Sequence, residues 1–146
     1  MAGNPPRILL VEDDQEDVVL IRKAIQELKF IPQMDIVKDG QECMDYLRKA
    51  GQYAAVTSPD IVLLDLNMPR KDGREVLLEM RADQRLKKIP VIILTTSESG
   101  VDINKAYELG ANCYINKPVD FAQVQKVVEE ISHFWFTIVK LPNENH

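Results

Sequence analysis

Little in this chain suits it to chemistry that depends on sulfur, on bulk positive charge or on a lipid environment. Only two of its 146 residues are cysteine. These are Cys43 and Cys113, without metal-ligand or redox spacing, and they read as packing residues of a reducing compartment. Eighteen Lys and Arg against 23 Asp and Glu leave a formal net charge of −5. That is the opposite of the basic patch direct nucleic-acid binding requires. No apolar run approaches the ~20 residues of a membrane-spanning helix, and the opening MAGNPPR has no apolar signal region. No membrane association is expected, and the cytoplasm is the expected location. The two histidines, His133 and His146, belong to no visible Ser or Cys triad. Repeats and low-complexity segments are absent too.

The content is that of a globular α/β protein. Hydrophobic residues make up 45% and charged residues 28%, and the length allows one full core but not two ordinary domains. Strand-like and helix-like signals alternate five times. Residues 7–11 form a short apolar run, and residues 14–29 place Val18, Leu20, Ile21, Ile25 and Leu28 at helical spacing. Residues 31–37 alternate weakly, residues 38–40 turn the chain, and Cys43, Met44 and Leu47 share one face of a helix over 41–50. Residues 61–64 are continuously apolar, as in a strand covered on both faces. A helix over 73–81, a strand over 91–94 introduced by Pro90, and a helix over 101–109 ended by Gly110 follow. A fifth strand spans 111–115, and Asp120 can cap a last helix through Ile131. This alternation predicts a doubly wound parallel sheet with right-handed crossovers and helices on both faces.

Four short clusters stand at the C-terminal ends of apolar runs: Glu12-Asp13-Asp14, Asp65, Thr95-Thr96 and Lys117-Pro118. In a parallel sheet those ends share the edge where ligands bind. Like charges disfavour ionisation of grouped carboxylates, and a bound Mg²⁺ reverses that. Asp65 can then act as a nucleophile forming an aspartyl-phosphate. Lys117 offers a mobile positive charge to one phosphoryl oxygen, and the Thr95 hydroxyl a neutral donor to another. Taken singly, these residues have plainer readings: a helix N-terminus favouring negative charge, a turn former, strand filler and a solvated lysine. Their coincidence at one sheet edge is what carries the reading. Asp14 is expected to cap the first helix, and Asp17 to be solvated.

The motifs ILLVEDD (residues 8–14), LLDLNMP (63–69), Asp72-Gly73, VIILTT (91–96) and YINKP (114–118) together resemble a response-regulator receiver domain. Order and spacing match over about residues 7–131. The resemblance implies a flavodoxin-like five-stranded sheet of order 2-1-3-4-5. It makes Asp65 the acceptor of phosphate from the phosphohistidine of a sensor kinase. Asp13 would bind Mg²⁺ directly, Glu12 through water, and Asp65 and the Asn67 main-chain carbonyl would complete the metal site. Thr95 and Tyr114 would form a switch pair, and Lys117-Pro118 a cis peptide. The chain departs from the family in Thr96, larger than the usual small residue, which narrows access to the pocket. Val119 replaces an aromatic, and extra residues fall in a surface loop over 51–59.

Beyond residue 131 the expectation is a helical extension and tail over 132–146, with no separate output domain. This tail carries Phe134, Trp135, Phe136, Ile138 and Val139. An apolar tail on an acidic domain is buried against a partner or against its own core. The tail and the run EDDQED (12–17) resemble stand-alone regulators serving bacterial phytochrome kinases, which commonly form homodimers. A homodimer through these five residues is therefore expected. The expected function is a single-domain response regulator, a phosphoacceptor signalling protein rather than an enzyme acting on other molecules. Alternatives are a haloacid-dehalogenase-like phosphatase, which expects Asp where Asn67 stands, and a phosphorylation-independent scaffold.

Overall fold

The computed structural model describes residues 5–142, with the side chain of Ile138 left aside. Five strands form one parallel sheet: β1 (Arg7–Val11), β2 (Gln33–Val37), β3 (Ile61–Leu64), β4 (Val91–Thr95) and β5 (Cys113–Asn116). Their order is β2-β1-β3-β4-β5. Between them run α1 (Gln15–Gln26), α2 (Gly40–Leu47), α3 (Gly73–Ala82) and α4 (Gly100–Glu108), and α5 (Phe121–His133) closes the fold. The expected flavodoxin-like architecture is the observed one.

Strand alternation builds two cores, one on each side of the sheet. Leu9, Val11, Val62, Leu64, Val91 and Ile93 face α2, α3 and α4, meeting Met44, Leu77, Met80 and Ala106. Ile8, Leu10, Ile61, Leu63, Ile92 and Leu94 face α1 and α5, meeting Val18, Ile21, Ile25, Val124 and Val128. The central strands β1, β3 and β4 are apolar because both of their faces are covered.

Each helix begins on a side chain that accepts orphan N–H groups: Asp14, Asp39, Asp72, Ser99 and Asp120. Gly110, at φ +104°, ends α4 as expected. Several boundaries differ from the sequence expectation: β2 starts at Gln33 rather than 31, α2 ends at Leu47 rather than 50, and α1 and β5 are shorter at one end. Helix α1 stops at Gln26, where the Glu27 and Leu28 N–H groups turn back to Ala24 and Ile25 in tighter bonds. Strand β5 starts at Cys113, because the Ala111 N–H still closes α4 on Ala106. The 51–59 loop also holds a 3₁₀ turn, Gly51–Tyr53, whose Tyr53 ring lies 5.3 Å from that of Tyr46.

The tail continues α5 through a π-helical turn, Phe134–Ile138. Trp135, only 9% exposed, belongs to the core between the sheet, α1 and α5, and Phe136 and Val139 pack against that core. Burial pushes the Cys113 thiol up, and the Trp135 indole works in the opposite direction. The segment therefore spends most of its apolar surface on its own chain. Phe134, 48% exposed and edge-on to Trp135, is the aromatic left outside. His146 lies outside the described residues.

Candidate functional site

The C-terminal ends of β1, β3, β4 and β5 bring the four clusters together. Glu12 follows β1 directly; its N–H donates to the Val37 carbonyl at 3.0 Å, and the Asp65 N–H donates to Val11 at 3.1 Å. These bonds extend the ladder by one residue and fix both carboxylates at the sheet edge. Behind Asp65, Gly73 is obligatory. A Cβ there would lie 2.4 Å from the Asp65 carbonyl oxygen, well inside contact distance. Lys117 is anchored through its N–H to the Thr95 carbonyl at 2.7 Å. The Lys117–Pro118 peptide is trans, contrary to the cis bond expected from the sequence.

Glu12, Asp13 and Asp65 offer oxygens that all lie within 4.8 Å of one another. Glu12 and Asp65 are buried and Asp13 is exposed, so the cluster opens to solvent on the Asp13 side. Burial, reinforced by the Asp65 charge and resisted by hydrogen bonds from Lys117 and the Asp14 N–H, pushes the Glu12 carboxyl up to about 7. Closely spaced hard oxygen donors held against their own repulsion are what a divalent cation stabilises. The donor set thus fits such an ion. Asn67 is exposed, and its N–H donates to Asp65 Oδ1 at 3.3 Å.

Lys117 faces the cluster with its side chain 7% exposed. Its Nζ lies 2.7 Å from Glu12 Oε1, 2.8 Å from Asp17 Oδ2 and 3.4 Å from Asp65 Oδ2. Burial alone would lower its pKa, but the hydrogen bonds to Asp17 and Glu12 and the Asp65 charge outweigh that and hold it above the ordinary lysine value. Asp17, expected to be solvated, is instead a partner of this lysine. The available signal was its place one helical turn past Asp13 and Asp14.

Thr95 is fully buried, and its Oγ1 is the one buried side-chain polar atom among the described residues without a hydrogen-bond partner. Such an atom costs free energy unless a ligand or a second state satisfies it. Thr96 beside it is exposed. The Tyr114 hydroxyl donates to the Ser97 carbonyl at 3.0 Å, and Asn116 Nδ2 donates to the same oxygen at 2.8 Å. Ser97 Oγ donates to Asp102 Oδ2 at 2.6 Å, and Arg74 Nη2 reaches Asp102 Oδ1 at 2.8 Å. Ser97, Asp102 and Arg74 carry no motif that would mark them in the sequence, and Asn116, though inside YINKP, had no assigned role there; only tertiary proximity joins them.

The family model of the response regulator receiver domain matches residues 8–129. The chain belongs to that family. It is 41% identical over 141 residues to response regulator Rcp1 of Synechocystis sp., covering 96% of each protein. The phosphorylated cyanobacterial phytochrome response regulator RcpA superposes with a TM-score of 0.91 at 44% identity, covering 95% of this chain and 99% of that one. The Mn²⁺-bound form of Rcp1 gives 0.88 at 40% identity, covering 95% of this receiver and all of its own chain. Receivers are signalling proteins of two-component systems, and a histidine kinase is the partner that membership implies. This receiver is homologous to the phytochrome regulators along nearly its whole length, and the phosphatase alternative is not favoured. Among the described residues no helix is long and apolar enough to cross a membrane.

Proposed function

We propose that this receiver accepts a phosphoryl group on Asp65 from the phosphohistidine of a sensor kinase and thereby changes its interaction surface. The observation that carries the proposal is the convergence of Glu12, Asp13, Asp65, Lys117 and the unpartnered Thr95 hydroxyl on one sheet edge. An Asp65 carboxylate oxygen attacks phosphorus in line. The N–P bond breaks as the O–P bond forms, and its electron pair returns to the leaving imidazole. Mg²⁺ held by Glu12, Asp13, Asp65 and the Asn67 main-chain carbonyl would neutralise charge on the phosphoryl oxygens. Lys117 turns its ammonium to one phosphoryl oxygen, and Thr95 donates its hydroxyl to another.

The switch follows from the same residues. As Thr95 moves toward the phosphoryl group, the Ser97 loop that follows it is pulled along. Tyr114 then loses its carbonyl acceptor and turns inward. The surface of α4, β5 and α5 is the one that changes, a two-state shift biased by a new charge.

By likeness to RcpA, a phytochrome is the proposed kinase, and the cytoplasm is the proposed location. A homodimer is proposed as well, with exposed Phe134 as its aromatic anchor and Trp135, Phe136 and Val139 supporting it from beneath.

The deciding experiment is transfer from a labelled phosphohistidine kinase to the wild type and to Asp65→Asn. The wild type should be labelled only with a divalent cation present, and chelation should stop transfer reversibly. Undiminished labelling of Asp65→Asn would refute the assignment.

A further inference from the structure

The Lys117 ammonium has three N–H donors and no acceptor. It meets three carboxylates at unequal distances: 2.7 Å to Glu12, 2.8 Å to Asp17 and 3.4 Å to Asp65. Asp65, the proposed phosphoacceptor, is thus the one it holds most loosely, and Asp17 makes one of the two closer contacts. The Asp17 carboxylate is not occupied in capping α1, because Asp14 accepts the N–H groups of Glu16 and Asp17. It is free to reach across to β5.

Both ends of the contact are fixed by the fold. Asp17 sits in the first turn of α1, which Val18 and Ile21 hold to the core. Lys117 is tied by its own N–H to the Thr95 carbonyl. Where the ammonium sits between α1 and Asp65 is therefore set by two anchored elements rather than by a mobile side chain.

We propose that Asp17 is a positioning residue for phosphotransfer: by taking one Lys117 donor, it keeps the ammonium from closing onto Asp65 and leaves that carboxylate open to the divalent cation and to the incoming phosphorus. Without the Asp17 charge, the ammonium draws closer to Asp65 than the present 3.4 Å. The tighter Lys117–Asp65 pair then competes with the cation for the same oxygens and quenches the nucleophile. Asp17 touches neither the phosphoryl group nor the metal; it acts through Lys117. The inference rests on the proposed assignment of Asp65 and its acidic neighbours.

The test is a calorimetric titration of the full chain with MgCl₂, alongside its phosphorylation rate with a small phosphoramidate at saturating Mg²⁺. Asp17→Asn should weaken Mg²⁺ binding about fivefold, the lower range of coupling between linked sites, and slow phosphorylation. Asp17→Glu, which keeps the carboxylate on the same exposed helical turn, should recover most of both. In a Lys117→Gln background, Asp17→Asn should leave Mg²⁺ affinity unchanged, because the route of action is gone. Equal losses with and without Lys117 would mean simple long-range charge and would overturn the inference. So would a single variant that binds Mg²⁺ like the wild type. If the wild type itself binds no Mg²⁺, the assignment of the site falls too; if it does and Asp17→Asn matches it, only the role of Asp17 falls.

Discussion

The Tyr114 hydroxyl donates to the main-chain carbonyl of Ser97 at 3.0 Å, tying strand β5 to the loop that follows Thr95. Asn116 donates to the same oxygen, while Asp102 of α4, itself held by Arg74 of α3, accepts from the Ser97 hydroxyl. The loop is pinned from three elements in the state where the Thr95 hydroxyl has no partner. Satisfying Thr95 and releasing Ser97 are then opposite sides of one equilibrium.

Removing a bond made only in the resting state should favour the other state. Tyr114→Phe and Asp102→Asn are each expected to bind a beryllium fluoride phosphoryl mimic several-fold more tightly than the wild type, in keeping with coupling of a few-fold or more between linked equilibria. A fluoride-dependent titration followed by hydrogen exchange in residues 96–102 measures it. Unchanged affinity in both variants would show that the Ser97 contacts persist after activation.

The raised Glu12 carboxyl gives a pH dependence of definite sign. Its folded value of about 7 lies above the ordinary 4.5, with burial as the main cause. Its contribution to stability is therefore fully present below about 4.5 and is lost as pH rises through about 7 in the metal-free protein. The metal-free melting temperature should accordingly carry a component that falls between about pH 4.5 and 7, and saturating Mg²⁺ should abolish it. Mg²⁺ affinity itself should decline as pH drops through about 7, with proton release on binding, which titrations in buffers of different ionisation enthalpy detect.

Gly73→Ala places a methyl group 2.4 Å from the Asp65 carbonyl oxygen and 2.8 Å from the Leu66 Cα. Backbone must shift to admit it, and the backbone that shifts carries the phosphoacceptor. The variant should lose on the order of 1–3 kcal/mol of stability, the usual cost of overpacking. It should also accept phosphate more slowly than its loss of folded fraction explains. Denaturant unfolding paired with a phosphorylation time course separates the two effects.

The aromatic tail divides into a structural and a candidate contact residue. Trp135→Ala removes a buried side chain from the core between α1, α5 and the sheet, and about 3–5 kcal/mol of stability should go with it. Phe134→Ser alters a half-exposed ring and should leave stability within about 1 kcal/mol. If the chain pairs through this end, sedimentation should show Phe134→Ser shifted to monomer at concentrations where the wild type is dimeric. A wild type that sediments as a monomer at every concentration would remove the dimer from consideration.

Local chemistry alone determined the architecture and the main members of the site. Continuous apolar runs at 61–64 and 91–94, each only four residues long and introduced by Pro59-Asp60 and Pro90, read as strands covered on both faces. Asp14, Asp120 and Gly110 marked helix ends through hydrogen-bonding and φ preferences that act within a few residues. Alternation of strand and helix then dictated a parallel sheet, and a parallel sheet gathers Glu12, Asp65, Thr95 and Lys117 at one edge. What the sequence could not set was which charge meets which. Asp17 reads as a solvated acid until α1 packs against α5 and its carboxylate comes 2.8 Å from Lys117, just past the end of β5. The aromatic tail reads equally well as an interface or as core, because burial depends on what lies opposite; the fold put Trp135 inside and Phe134 outside. Arg74, Ser97, Asp102, Tyr114 and Asn116 belong to three elements, α3, α4 and β5, and to the loop between β4 and α4. Their hydrogen bonds are contacts between distant parts of the chain, and only tertiary packing brings those parts within reach.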